Sequence, residues 1–350
     1  MNSCISGKAG ECALQCTLGP ALADDSVLSE TVAAGATACR INLSHCRADD
    51  LAGAFGRIRA AAARCAKKFT IGADLRGRKL RIGPLPDGAV ELIENDQFRL
   101  VPVAVDAEQL GSAQSASVNC PVLGTTVRAG DAIVLDDGML RLRVEAASAD
   151  EVRCRVERGG RLPERSGLAI PGRAIELPAL TVKDLVDLDA LSLLRPDFVY
   201  LSFCETAADV QLLRAELARR GLSIPIVAKI ERAVAVDHIV DIVQTADAIC
   251  VARGDLGVEV PLFELPAAQR RVMSAARAAA KPALVAGEVL YSMVSSRSRP
   301  TRAEVTDVMV ALEQGAAGFV LSDETAVGRW PVATVRWLRE FIDSARVGSS

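Results

Sequence analysis

The stretch from Ile224 to Asp255, IPIVAKIERAVAVDHIVDIVQTADAICVARGD, decides the fold. It holds two aliphatic runs, Ile224–Lys229 and Ala248–Val251, each the length of a buried strand. Charged residues stand where each run ends: Lys229 and Glu231 after the first, Arg253 and Asp255 after the second. The same kind of run recurs near Cys12–Cys16, Thr37–Asn42, Thr70–Asp74, Asp197–Ser202, Ala283–Ala286 and Gly318–Leu321. Helical patterns follow nearly all of them, at Asp49–Ala66, Thr206–Arg219, Leu262–Ala280, Arg302–Gln314 and Pro331–Ala345. Eight strands alternating with helices predict an α/β chain folded as a (β/α)8 TIM barrel.

One connection breaks the rhythm. About 120 residues separate the third and fourth runs, far more than one helix needs. This segment has short alternating runs such as Ala132–Leu135 and Leu140–Glu145, and turn signals at Pro86-Asp87-Gly88 and Asp136-Asp137-Gly138. It is expected to form a small inserted β domain over residues 78–172, splitting the barrel into 1–77 and 173–350. Leu177–Leu188 restarts the helix-and-strand pattern. The insertion leaves from the rim that carries the charged strand ends, so it can close over that rim as a lid.

Composition narrows the function. Lys and Arg number 41 against 44 Asp and Glu, a formal charge of −3, so neither DNA nor an anionic membrane is an expected partner. Only 8 Phe, 2 Tyr and 2 Trp are present, too few for a stacking surface that binds single-stranded nucleic acid. No apolar run is long enough to span a bilayer, and Met1–Gly10 lacks the pattern of a signal peptide, so a cytoplasmic protein is expected. The 10 cysteines form no CxxC pair and the only histidines are His45 and His238; free thiols are expected, and no zinc site.

The rim of such a barrel is where active sites lie. Glu231 and Asp255 follow successive strands and can hold a hard divalent cation, or else pair with Lys229 and Arg253 as structural ion pairs. Lys229 ends an apolar strand and should point into the barrel mouth, where it can neutralise a phosphoryl group or an enolate. Alternation places Arg40, Asn42 and Ser44 on one face, a set suited to a phosphate or its counter-ion. Arg76, Lys79 and Arg81 add basic charge close to Asp74.

The residues carry a resemblance to the pyruvate kinase family. It rests on TLGP at 17–20, RINLSH at 40–45, LDDG at 135–138, LPALTVKDLVDL at 177–188 and KIE at 229–231. VARGDLGVEV at 251–260, RPTRAEVTD at 299–307 and LSDETAVG at 321–328 continue it in the family's order. The resemblance implies phosphoryl transfer from phosphoenolpyruvate to ADP, giving pyruvate and ATP, as in glycolysis. It implies Mg2+ or Mn2+ on Glu231 and Asp255, and Lys229 on the transferring phosphoryl group. Arg40 and Arg81 would contact phosphates, while Ala252, Arg253 and Gly254, with Asp255 and Gly287 beside them, would line the substrate site. Asn42, Ser44, Asp74 and the Leu75 carbonyl match a monovalent-cation site; Pro20, Asn42 and His45 match positions near the nucleotide.

Four departures from the family pattern matter. The chain stops after the eighth barrel helix, so the family's C-terminal regulatory domain is expected to be absent, with a second copy or a partner subunit covering the face it leaves. Gly287 stands where the family has a threonine of the network that protonates the enolate, which should slow that step. The family run Asp-Thr-Lys-Gly-Pro-Glu becomes Asp74-Leu75-Arg76-Gly77-Arg78-Lys79; lysine at the last position implies that the Lys79 ammonium replaces the monovalent ion and that K+ is not required. Asp323 adds a carboxylate to the rim, and Ser166 and Ala169 replace a lysine and an asparagine where the lid rejoins the barrel. Three readings stay open: a pyruvate kinase, a related metal–enolate enzyme acting on another acceptor or 2-oxo acid, and a non-catalytic binding subunit.

Overall fold

The computed structural model describes Ile5 and residues 12–347, apart from 106 and 174. The rest of the Met1–Gly10 segment, including Cys4, lies outside the described residues. Eight parallel strands form the barrel: β1 (Ala13–Thr17), β2 (Ala38–Asn42), β3 (Thr70–Asp74), β4 (Phe198–Leu201), β5 (Ile226–Ile230), β6 (Ala248–Ala252), β7 (Ala283–Ala286) and β8 (Gly318–Val320). Each pairs with the next, and β8 closes on β1 through Ala13↔Gly318, Leu14↔Phe319 and Gln15↔Val320. All eight expected strands are present, with ends moved by one or two residues.

These runs become strands because both of their faces are buried, as parallel strands under a helical layer require. The outward side chains Leu14, Cys16, Cys39, Ile41, Val199, Leu201, Ile249 and Val251 pack against the helices. The inward set, among them Ala13, Ala38, Phe198, Tyr200, Val227, Cys250 and Leu284, fills the barrel. Phe198 fits there because Gly72 faces it: a Cβ on Gly72 would lie 2.3 Å from the Phe198 ring. Capping boxes at Thr181/Asp184 and Thr301/Glu304 start the helices Val182–Leu194 and Arg302–Glu313, satisfying amides that have no partner within the helix.

The insertion contains a six-stranded sheet in the order Leu168–Ala169, Ala132–Leu135, Leu140–Ala147, Val152–Arg158, Gln97–Pro102, Ser115–Val118, and a separate pair, Ala89–Leu92 with Gly160–Pro163. The segment 80–83 joins the two edges of the larger sheet. Leu80 O accepts from Leu168 N (2.9 Å) and Ser166 O from Ile82 N (3.1 Å), while Gly83 N donates to Ser117 O (2.8 Å). The sheet thus curls into a small barrel around Phe98, Leu100, Val118, Ile133, Leu142 and Val156. The chain leaves the main barrel through Arg76 and Gly77, whose amides donate to Asp184 Oδ1 at 2.8 and 3.3 Å. Gly77 has φ +61, and a Cβ there would lie 2.5 Å from Ser202 O, so the departure needs glycine.

Eight of the cysteines (Cys16, Cys39, Cys46, Cys65, Cys120, Cys154, Cys204 and Cys250) form no disulfide. Among the described residues no helix is long and apolar enough to cross a membrane.

Candidate active site

The parallel register brings the ends of β2, β3, β5 and β6 to one rim. Asp74, at the end of β3, is 1 % exposed and meets Arg40 Nε at 2.6 Å and Lys229 Nζ at 3.3 Å. Ser202 Oγ donates to Asp74 Oδ1 at 2.9 Å and lies 2.9 Å from Lys229 Nζ. Lys229 also reaches Glu231 Oε1 at 2.9 Å. The other Glu231 oxygen accepts the Phe203 N–H at 2.6 Å. Lys79, from the inserted domain, crosses to Asp255 Oδ1 at 2.6 Å. Three cations therefore face three carboxylates in a largely dry space.

Burial would lift the Asp74 carboxyl, but Lys229 and Arg40 outweigh it and hold it below its ordinary value. Burial would lower the Lys229 ammonium, but Asp74 and Glu231 outweigh that and keep it charged to higher pH. Glu231 goes the other way: burial raises its pKa, Lys229 offsets only part of this, and the charges of Asp255 and Asp74 add to the rise. Burial also works against ionised Asp255, but Lys79 prevails and lowers its pKa.

Glu231 is buried and Asp255 half-buried, close enough that the Asp255 charge adds to the rise in the Glu231 pKa. Among the described residues no cluster of three or more His, Cys, Asp or Glu side chains forms a complete metal cage. A hard divalent ion fits this pair if substrate oxygens and waters supply the remaining ligands, since such ions accept mixed oxygen shells. The expected ion pair between Lys229 and Glu231 is present; the expected partner of Asp255, Arg253, is not. Arg253 turns to Asp307 (2.6 Å) and donates to Gly287 O from Nε (3.0 Å) and Nη2 (2.8 Å).

Ala252 ends β6, and the helix Arg253–Glu259 starts directly after it, so the amides of Arg253 and Gly254 have no partner within that helix. Gly287 lies against them at φ +87, and Glu288 follows at φ +50. A Cβ on Gly287 would sit 2.6 Å from Gly254 N and 3.2 Å from Arg253 N. The bare glycine leaves that space open beside the cleft.

The expected alternation of Arg40, Asn42 and Ser44 holds only for the first two. β2 ends at Asn42, and Ser44 lies in the turn Leu43–His45, where its N–H donates to Asn42 Oδ1 at 3.1 Å. A strand face needs continued extended backbone, and the turn breaks it. Leu75 is buried, its N–H donating to Tyr200 O at 3.2 Å. Arg81 belongs to the inserted domain and donates to Arg165 O at 3.0 Å, away from the Arg40–Lys229 cluster but within electrostatic reach of Asp255. His45 is exposed; partial desolvation and then the charges of Arg81, Arg40 and Lys79 lower its pKa, which locates it beside that basic group. Pro20 is exposed and starts the turn Pro20–Leu22, which is anchored by buried Leu22, and its neighbour Gly19 packs tightly on Ala326. Asp323 is an exposed residue of the cleft wall, whereas Glu324 is buried and accepts from Leu290 N and Ser322 N. Ser166 donates to Asp136 Oδ1 at 3.2 Å.

Sequence reasoning missed Ser202, the hydroxyl joining Asp74 to Lys229. A serine ending an apolar strand is too common to stand out. It also missed Asp184, which fixes the hinge amides; its one signal was the Thr-x-x-Asp spacing from Thr181.

A closed β/α barrel with an inserted β domain and a charged rim defines the class. The chain belongs to the pyruvate kinase family: residues 10–335 match the family model described as "Pyruvate kinase, barrel domain". Pyruvate kinase of Mycobacterium tuberculosis is 39% identical over 335 residues, covering 96% of this chain and 70% of that protein. Pyruvate kinase of Corynebacterium glutamicum is 37% identical, with 93% of this chain and 68% of the relative aligned. The crystal structure of a pyruvate kinase from Cryptosporidium parvum superposes with a TM-score of 0.87 at 32% identity, covering 96% of this chain and 69% of that one.

Proposed function

We propose that this protein transfers the phosphoryl group of phosphoenolpyruvate to ADP. The observation that carries the reading is the buried set Arg40–Asp74–Lys229–Glu231, assembled from the ends of β2, β3 and β5 of a pyruvate kinase barrel. Lys229 and Arg40 supply fixed positive charge where a phosphoryl group gains negative charge in transfer. Asp74 and Ser202 hold the two cations in place and are positioning residues. The amides of Arg253 and Gly254, beside Ala252 and Gly287, receive the substrate carboxylate. Glu231 and Asp255 are the residues that would hold Mg2+ or Mn2+, which supplies Lewis-acid polarisation of substrate oxygens when bound. In the transfer, the bond from phosphorus to the enol oxygen breaks, a bond to the terminal ADP oxygen forms, and the enolate then takes a proton to give pyruvate.

The reading includes Arg81 on a phosphate, Pro20, Asn42 and His45 near the nucleotide, and Asn42, Ser44, Asp74 and Leu75 as the remnant of a monovalent site. It also includes the division of the chain at 1–77, 78–172 and 173–350, and a cytoplasmic setting. Lys79 pairs with Asp255 and not with Asn42, Ser44 or Asp74, so its replacement of the monovalent ion rests on the resemblance alone.

The test is pyruvate formation from phosphoenolpyruvate and ADP with Mg2+, in K+ and in K+-free buffer. Equal rates are expected in the two buffers; strong activation by K+ counts against the role of Lys79. No pyruvate, with phosphoenolpyruvate bound in the presence of Mn2+, moves the protein to the second reading, the same machinery acting on another acceptor or 2-oxo acid. The observation behind that reading is the loop Gly287-Glu288, which differs in sequence from the family pattern and has two successive positive φ values beside Arg253.

Lys79→Met should tighten Mn2+ binding about tenfold, because the ammonium competes with the ion for Asp255. Electron paramagnetic resonance titration of free Mn2+ reads this directly, and weaker binding in the variant would contradict it.

A further inference from the structure

The inserted domain leaves the barrel at Arg78 and returns through Arg173–Leu177. A buried cluster of charges lies between these two crossings. Arg78 Nη2 meets Asp209 Oδ2 at 2.6 Å and Arg78 Nη1 meets Glu205 Oε2 at 3.6 Å. The other Glu205 oxygen meets Arg232 Nη1 at 3.3 Å, and Arg232 Nε reaches Glu259 Oε1 at 3.1 Å. The same guanidinium groups also hold the returning chain: Arg78 Nη1 donates to Leu177 O at 3.0 Å and Arg232 Nη2 to Arg173 O at 3.1 Å. The side chains of Arg78 and Arg232 are only 8% and 7% exposed.

Stability alone does not account for this cluster. A buried ion network is often no more stabilising than apolar packing of the same volume. Four of its atoms, Arg78 Nε and Nη2, Glu205 Oε1 and Arg232 Nε, are buried without an aligned hydrogen bond, which a network built for maximum stability would supply. The connections it makes are specific. Glu205 is two residues after Phe203, whose N–H holds Glu231. Arg232 follows Glu231 directly. Glu259 lies one helical turn beyond Asp255 on the helix Arg253–Glu259. The cluster therefore joins both hinge crossings to the rim loop that carries Glu231 and the helix that carries Asp255.

We infer that Glu205, with Arg78 on one carboxylate oxygen and Arg232 on the other, is a positioning residue that clamps the hinge of the inserted domain to the loop bearing Glu231 and the helix bearing Asp255. The clamp sets where Lys79 and Arg81, both just beyond the hinge, stand over the cleft. Its consequence for turnover rests on the function proposed above; its effect on the hinge does not.

Hydrogen–deuterium exchange of the metal-free protein tests the clamp by itself. Glu205→Gln keeps the side-chain shape and removes the charge; Arg78→Met removes the other partner. Each should speed amide exchange in 76–83 and 168–177 about tenfold, with the eight barrel strands unchanged. The double variant should exchange less fast than the product of the two single effects, because the Arg78–Glu205 contact is lost in both. Arg78→Lys should fall between wild type and Arg78→Met, because one ammonium keeps the charge but cannot hold Asp209, Glu205 and the Leu177 carbonyl together. Turnover of phosphoenolpyruvate should fall about tenfold in Glu205→Gln while Mn2+ affinity is kept, since Glu231 retains Lys229 and the Phe203 N–H. Unchanged hinge exchange in a folded variant, or faster exchange throughout the chain, overturns the clamp. Wild-type protein that neither binds Mn2+ nor turns over overturns the proposed function, and the exchange result still decides the clamp.

Discussion

Lys229→Met should cut phosphoryl transfer by about a thousandfold, the scale of losing one preorganised charge donor at a reacting group. Lys229 is the side chain that touches both halves of the site, reaching Asp74 at 3.3 Å and Glu231 at 2.9 Å. Its loss also strands buried charge. Asp74 keeps Arg40 and Ser202, but Glu231 is left with the Phe203 N–H alone. Breaking such a buried pair should cost about 3 kcal/mol of stability at pH 7. The pH dependence follows from two shifts. The folded Asp74 pKa lies below 3.8, so its stabilisation is present above that value and is lost as pH falls through the lower folded value. The folded Lys229 pKa lies above 10.5, so its stabilisation is complete below 10.5 and is lost as pH rises through the folded value. The gap between wild type and variant should thus be widest between these limits and close toward acid. Urea unfolding at neutral pH and at pH below the Asp74 range measures it, beside the pyruvate assay. A variant with wild-type turnover would remove Lys229 from the chemistry; a stability gap that widens in acid would contradict the Asp74 pairing.

The barrel was legible because its strands announce themselves. Runs such as Thr70–Asp74 and Ala283–Ala286 are short, apolar and bounded, and in a parallel sheet both faces are buried, so composition and length suffice. The curled β domain was legible from its alternation, seen at Leu140–Ala147, where buried and exposed residues alternate along most of the strand. Which charges meet was less legible. Lys79 could be assigned to the rim, but its reach to Asp255 rather than to the Asn42–Ser44–Asp74 group depends on how the inserted domain sits on the barrel. Arg253 shows the same limit. Its place after β6 suggested a partner for Asp255, yet the positive-φ turn at Gly287 presents a carbonyl oxygen that captures the guanidinium instead. Backbone conformations of that kind leave no trace in hydrophobic pattern, and a single glycine is a weak signal.

Gly287→Thr gives the sharpest contrast between resemblance and geometry. The resemblance alone predicts a gain, because the threonine hydroxyl belongs to the network that protonates the enolate. The backbone predicts a loss. Gly287 has φ +87, where a β-branched residue is strongly disfavoured. Its Cβ would lie 2.6 Å from Gly254 N, a main-chain atom that cannot swing aside. Strain at one such position costs about 1–3 kcal/mol, and relief of the clash must also disturb the bonds from Arg253 to Gly287 O. A melting temperature lowered by about 2–4 °C is expected, with weaker phosphoenolpyruvate binding because the new atoms fill the space before the Arg253 and Gly254 amides. Gly287→Ala separates the two causes, since it adds the Cβ without the hydroxyl. Equal losses in both variants mean that backbone geometry governs the loop and that the enolate is protonated by another route. Higher turnover in Gly287→Thr together with lower turnover in Gly287→Ala would mean that the loop can adopt the family conformation, and that this site lacks only one hydroxyl.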